Sequence, residues 1–198
     1  MTRNPEATRK LIIDKSIALF NTKGYRATSL SDITQATGIT KGAIYANFSN
    51  KEEVAVAAFE YALNVVLKEI RECIRRAPTA PLKLKAVLHY YEDYIGNPPI
   101  PGGCPVLNSA VEADDNHPLL RTRVVRLITK IKDALTQIVH RGILEKQLRE
   151  DLDVDGFVML FYGAIEGAIM VSRVEGDKDS FVGMSQFLSQ LINQYTID

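Results

Sequence analysis

The stretch Thr40-Lys41-Gly42-Ala43-Ile44-Tyr45-Ala46-Asn47 concentrates side chains that can meet DNA. Lys41 can donate to guanine O6 and N7 or to a phosphate. Gly42 removes a side chain where a helix must approach base edges. Tyr45 lies four residues after Lys41, on the same helix face, with a hydroxyl that can reach a phosphate. Asn47 is placed to touch backbone or base, and Ala43 leaves the same helix slim. Thr28 or Ser29 at the start of one helix, and Lys51 at the start of another, can fix flanking phosphates, partly through helix N-termini. Thr28, Ser29 and Thr40 also serve as helix caps, and capping is compatible with phosphate contact.

A second chemical group is the thiol of Cys104. It follows Gly102-Gly103 at an expected helix start, where the dipole favours a thiolate and small neighbours leave the sulfur accessible. The alternative is a buried cysteine acting as a small apolar residue beside a pocket. Cys73, mid-helix on an apolar side, reads as structural. His89, His117 and His140 show no spacing with acids that suits a metal, so no metal and no cofactor is expected. An all-α thiol enzyme using Cys104 with His117 as base is a rival reading. Thirteen residues separate the two, and no third group stands ready to orient the imidazole.

The elements that must position these groups are helices. Ile12 with Ser16 and Leu19, beside Ile13, Ile17 and Phe20, gives a wide apolar face from about Pro5 to Lys23. Pro5 suits a first helical position and Gly24 a helix end. Ser29 caps a short helix to about Thr37, with Leu30, Ile33 and Ala36 expected inward, and Gly38 breaks it. Thr40 caps a third helix through Phe48. Two short helices joined by a tight Gly-containing turn form a helix-turn-helix, whose second helix offers its first residues to a major groove.

Ser49-Asn50-Lys51-Glu52-Glu53 opens a long helix to about Ala77, where Pro78 and Pro81 stop it. Helical patterns follow over Leu82–Ile95, Cys104–Asp114, from Pro118 to the polar stretch 145–151, and twice more after Asp153 and Gly176. No convincing strand and no internal repeat occurs. The expectation is an all-α chain with an N-terminal three-helix domain over residues 1–51 and a helical bundle over residues 52–198.

The 198 residues are 46% hydrophobic and 24% charged, which excludes fibrous, low-complexity and wholly disordered classes. Net charge is zero, but the total hides an asymmetry. Residues 1–51 hold eight Lys/Arg against three acids, a balance of +5, and the remainder carries −5. A basic module joined to an acidic one suggests that only the first meets phosphate. Two cysteines and no CxxC pair fit a reducing cytoplasm. The N-terminus lacks an apolar signal region, and no unbroken apolar stretch of about 20 residues suggests a membrane partner.

Residues 1–55 resemble the DNA-binding domain of the TetR family of transcriptional regulators. The likeness runs through Ile12-Ile13, Leu19-Phe20, Gly24-Tyr25, Thr28, Ile33, Ala36, Gly38-Ile39-Thr40, Gly42, Tyr45, Phe48 and Lys51-Glu52, in order and at the family's spacing. The resemblance implies about nine helices per chain, a homodimer on a double-stranded, palindromic operator, and a C-terminal domain that binds a small-molecule inducer. It also implies a phosphate contact by Tyr45. Gly102 to Asn108, with Glu112 and His117-Pro118, is similar to a segment of one subset of these repressors, some of which respond to electrophiles or oxidants through the cysteine at this place.

A ligand cavity is expected between helices of the bundle. Phe59, Leu63, Tyr90, Tyr91, Tyr94, Cys104, Asn108, Glu112, Phe161 and Tyr162 are its candidate lining residues. Each is equally explained by core packing. The last two helices are strongly apolar, and the family pairs them with their copies as a four-helix dimer interface. Phe157, Gly163, Gly167, Met184, Leu188 and Leu191 are the candidates there. The reading is a repressor released by an inducer or by modification of Cys104. A helical ligand-binding protein without DNA binding is the third possibility.

Overall fold

The computed structural model describes residues 4–197, with the side chains of residues 114–116 outside that description. Arg3, counted in the charge balance, also lies outside it. Among the described residues there are nine helices and a single antiparallel bridge, between Leu148 and Thr196. The helices are α1 (Pro5–Lys23), α2 (Leu30–Thr37), α3 (Lys41–Tyr45), α4 (Lys51–Arg76), α5 (Ala80–Gly96), α6 (Pro105–Asn116), α7 (Pro118–Leu144), α8 (Val154–Glu175) and α9 (Asp179–Tyr195).

The chain forms two compact units that do not follow chain order. The first holds residues through Val65 together with Ile100–Val125, and the second Val66–Pro99 with Arg126 onward. α4 and α7 therefore contribute residues to both units.

In the first unit the helix ends are chemically specified. The Asn4 side chain accepts from the Glu6 N–H at the start of α1, next to Pro5, and Gly24 closes it with φ of 84°. Ser29 and Asp32 form a reciprocal capping box on α2, and Thr40 accepts from the Ala43 N–H on α3. Such caps are each worth about 1 kcal/mol. Ile12, Ile33, Ile39, Ile44, Phe48 and Val54 make the buried core under these helices.

Two local expectations change. On α2 the inward residue after Ile33 is Thr37, not Ala36, which is exposed. The phase Leu30, Ile33, Thr37 keeps a 3-4 helical step, and the buried Thr37 hydroxyl donates to Ile33 O at 2.6 Å. α3 ends at Tyr45 rather than Phe48; a turn through Ala46-Asn47 then drops Phe48 into the core at 2% exposure.

The second unit packs α5, α8 and α9 together, with α8 against α9 along their lengths. Leu84, Leu88, Phe161, Phe181, Leu188 and Ile192 are buried in it. By length and composition alone α8 could cross a membrane. In this fold its Phe157, Phe161, Ile165 and Ile169 are buried in the unit's own core.

Candidate functional site

Helix α3 presents Lys41, Gly42 and Tyr45 to solvent, and Tyr45 is 53% exposed. A tyrosine ring left in water on a helix whose other side is core is available for contact. Gly42 keeps the face open: a Cβ there would meet only the Thr40 hydroxyl, at 3.9 Å.

The remaining candidates of this region are occupied in building it. Thr28 is fully buried and its hydroxyl donates to Gly24 O at 2.7 Å. The Ser29 hydroxyl donates to the Asp32 carboxylate at 2.6 Å while accepting from its N–H. Those bonds, with Lys23 at 2.9 Å, hold the Asp32 carboxyl well below the usual carboxylate range. Asn47 donates its amide to Ala43 O at 2.8 Å, and its own carbonyl accepts from Arg9 at 2.6 Å. Arg9 also lies 4.0 Å over the Phe48 ring and 3.5 Å from Glu53, tying α1 to the end of α3 and the start of α4.

Lys51 points inward. Its ammonium donates to Tyr25 O and Thr28 O, both at 2.9 Å, and sits 4.2 Å over the Tyr25 ring. Desolvation pulls its pKa down against the opposing field of Glu112. It serves as a brace for the α1–α2 connection.

Around Tyr25 the loop and α6 close onto α1. The Tyr25 N–H donates to the Glu112 carboxylate, and the Tyr25 ring meets His117 edge-on at 4.1 Å. Asn108 donates to Asn21 O and Oδ1 at 3.0 Å and to Gly102 O at 2.7 Å, and Asn21 donates back to Pro101 O and Gly103 O at 2.8 and 2.9 Å. Two glycines make this approach possible. A Cβ at Gly24 would collide with the Glu112 carboxylate, and one at Gly102, where φ is 113°, would fall 2.5 Å from Asn21 O. Asn108 and Glu112 thus grip α1 in the first unit. Cys104, the N-cap of α6, is 5% exposed, so the accessibility expected after two glycines is absent: the chain folds over it.

Of the other expected lining residues, Phe59 edges a small space of about 30 Å³ in the first unit, with Ile17, Phe20 and Ser109, and Leu63 is buried there. In the second unit Tyr90 donates to Glu69 at 3.0 Å, and burial pushes its phenol well up. Tyr94 is buried, with ring centroids 5.7 Å from Tyr91 and 6.0 Å from Tyr90.

Tyr91, Phe161 and Tyr162 do come together, in a cavity of about 140 Å³ within the second unit. α4 supplies Leu67, Ile70 and Ile74, α7 supplies Leu127, Ile131 and Ile138, and Val87 and Ile165 complete an apolar interior. Arg71 and Lys130 stand at its edge, both exposed. Sequence reasoning missed these two, because an exposed cation on a helix carries no signal that a cavity lies behind it.

On α8, residues Met159, Leu160, Gly163, Met170, Val171 and Val174 are exposed, with Gly167 half-buried, opposite the core-facing Phe157 and Phe161. Val174 is 83% and Phe187 of α9 is 61% exposed. Added Cβ atoms at Gly163, Gly167 and Gly183 would meet nothing. These glycines do nothing for packing inside the chain. Phe157 and Leu188 are buried in their own unit, whereas Met184 and Leu191 are half-buried.

A capped two-helix motif with an open recognition face, on a chain of helices holding an internal cavity, defines a helix-turn-helix DNA-binding regulator. The family model for bacterial regulatory proteins of the tetR family matches residues 12–58, and that for the tetracyclin repressor-like C-terminal domain matches residues 80–188. The chain belongs to the TetR family and is a DNA-binding transcriptional regulator of that family. A TetR transcriptional regulator from Chloroflexus aurantiacus superposes with a TM-score of 0.94 at 34% identity, covering 98% of each chain. The HTH-type transcriptional repressor DhaR of a Mycobacterium species is 23% identical over 96% of this chain and 91% of its own. The TetR regulator CifR, solved on 26-bp operator DNA, has a TM-score of 0.83 at 18% identity, over 91% of this chain and 94% of that one.

Proposed function

We propose that the protein is a homodimeric repressor whose operator grip, through Lys41 and Tyr45 of α3, is released when a small molecule occupies the α4–α5–α7–α8 cavity. The observation that carries this reading is the pair of helices walling the cavity. α4 and α7 line it in the second unit and continue into the first, which holds α3 and the α6 grip on α1.

The exposed apolar stripe of α8 with Phe187 of α9 supports a dimer, since two recognition helices on a palindromic site require one. The open glycines allow the two copies to approach closely. Displacement of α4 and α7 by a ligand would be passed along those helices and through α6 to the Tyr25 loop, changing the separation of the two α3 helices. A differential affinity of about 3 kcal/mol between ligand-free and ligand-bound states changes operator occupancy roughly 150-fold. The repressor sign is supported by the name of the DhaR relative.

Fluorescence anisotropy with the DNA upstream of the protein's own reading frame, against shuffled DNA and across a salt series, tests this. Tight selective binding with a salt slope of several ions is the expected result. Equal affinity for both DNAs, across all upstream and neighbouring intergenic fragments, would overturn it.

A further inference from the structure

The lining of the cavity goes further than its existence, and the inference rests on reading that cavity as the effector site. Its interior is hydrocarbon and aromatic: Ile70, Val87, Leu135, Phe161 and Ile165 are buried, and the aromatic rings of Tyr91 and Tyr162 add to the wall. Its charged wall residues are two cations, Arg71 on α4 and Lys130 on α7, both exposed. No ion pair holds either of them among the described residues. A second space of about 310 Å³ abuts the first, sharing Arg71, Ile74, Ala134 and Ile138 as wall. Its further charges are Lys83, Arg141 and Glu145, and Glu145 is already held by Arg141 at 2.7 Å. Together the two spaces reach the range of about 300–1,000 Å³ of small-ligand sites.

Positive charge without an ion-pair partner on the wall of an apolar chamber favours a ligand with the opposite polarity at one end only. A guanidinium accepts a carboxylate in a two-point geometry that an alcohol or an ammonium cannot reproduce. The geometry points to a single-chain organic carboxylate as the ligand class, with its hydrocarbon chain in the α4–α5–α7–α8 chamber and its carboxylate between Arg71 and Lys130. Neutral and cationic amphiphiles of equal length are disfavoured by the same two side chains. Chain length is set by the chamber, so affinity rises with each methylene until the apolar walls are filled, and then stops rising.

The test uses the full-length protein and isothermal titration calorimetry with dodecanoate, dodecanol and dodecyltrimethylammonium, all below their micelle concentrations. Dodecanoate is expected to bind at least tenfold more tightly than either of the others. Arg71→Gln with Lys130→Gln should abolish that preference while leaving dodecanol affinity within twofold; both side chains are exposed, so the fold has no stake in them. Ala134→Trp, filling the wall common to the two spaces, should weaken dodecanoate and dodecanol alike. Equal or tighter binding of the alcohol or ammonium overturns the proposal, as does a dodecanoate preference that survives the double substitution. Operator release is read separately by anisotropy. Selective dodecanoate binding without release would leave the ligand class standing and sink the effector role of the cavity.

Discussion

The two units spend their polar groups in opposite ways. Around α1–α3 and α6 many polar side chains are committed to one another or to backbone: Arg9 to Asn47 and Glu53, Lys51 to two carbonyls, Thr28 to Gly24, Asn108 to Asn21, Glu112 to Tyr25. Lys41 and Tyr45 stand out as open. Around the cavity the interior is apolar, and among the described residues no ion pair holds Arg71 or Lys130 at its edge. A part that must hold a fixed shape against DNA is built by internal hydrogen bonds, and the apolar cavity is the part proposed to accept a guest.

The largest effect that would break this contrast lies on the proposed dimer face. Gly167→Asp with Phe187→Asp puts charges into the proposed interface and should weaken dimerisation on the order of 100-fold, about 3 kcal/mol, in sedimentation equilibrium, with operator affinity falling alongside. A dimer of parental strength would remove α8 and α9 from the interface.

Next in size, Lys41→Ala with Tyr45→Phe should lower operator affinity at least tenfold in anisotropy while the thermal midpoint stays put, because neither side chain is part of the core. Lys51→Met sharpens the distinction between bracing and reading. It leaves Tyr25 O and Thr28 O without their donor and should cost about 1–2 kcal/mol in urea unfolding. Its effect on DNA should be uniform across sequences. Loss of sequence preference alone, with parental stability, would return Lys51 to the interface.

Cys104→Ser should change operator affinity and ligand response less than twofold, and alkylation of the parental thiol should be slow until the fold opens, as read by mass spectrometry. Fast alkylation coupled to operator release would make Cys104 a sensor. Smallest is Asp32→Asn. The folded carboxyl titrates below its unfolded value near 3.9, so its stabilisation is complete above that pH and is lost as pH falls beneath it. The variant should be less stable than the parent at neutral pH, and the gap should close on acidification. A gap that persists unchanged at pH 2 would mean that the amide disturbs α2 by some route other than charge.

The contrast also explains what the amino-acid sequence disclosed. Local signals are short-range chemistry: Pro5 and Gly24 bracket α1, Ser29 and Thr40 cap the next two helices, and these boundaries fall where the residues put them. The all-α class and the helix-turn-helix were legible for that reason. Thr37 against Ala36 was not, since a threonine reads as polar until its hydroxyl finds the carbonyl one turn back. Tyr91, Phe161 and Tyr162 were legible as lining because aromatic residues of a bundle converge on its interior. Asn108 and Glu112 were expected to orient a ligand and instead hold α1. Their partners, Asn21 and Tyr25, lie 87 residues away in the chain, a pairing that no local pattern encodes.

The two asparagines carry a consequence for timing. Asn21 and Asn108 bind each other and the Gly102–Gly103 backbone with several hydrogen bonds at 2.7–3.0 Å, so a partial shift of α6 strands amide and carbonyl groups together without new partners. If α6 shifts as proposed, its intermediate positions should be sparsely visited and the change should be close to all-or-none. Under the proposed release by an effector, a single promoter governed by such a latch would fire in bursts between long silences, with effector concentration setting how often it opens rather than how far.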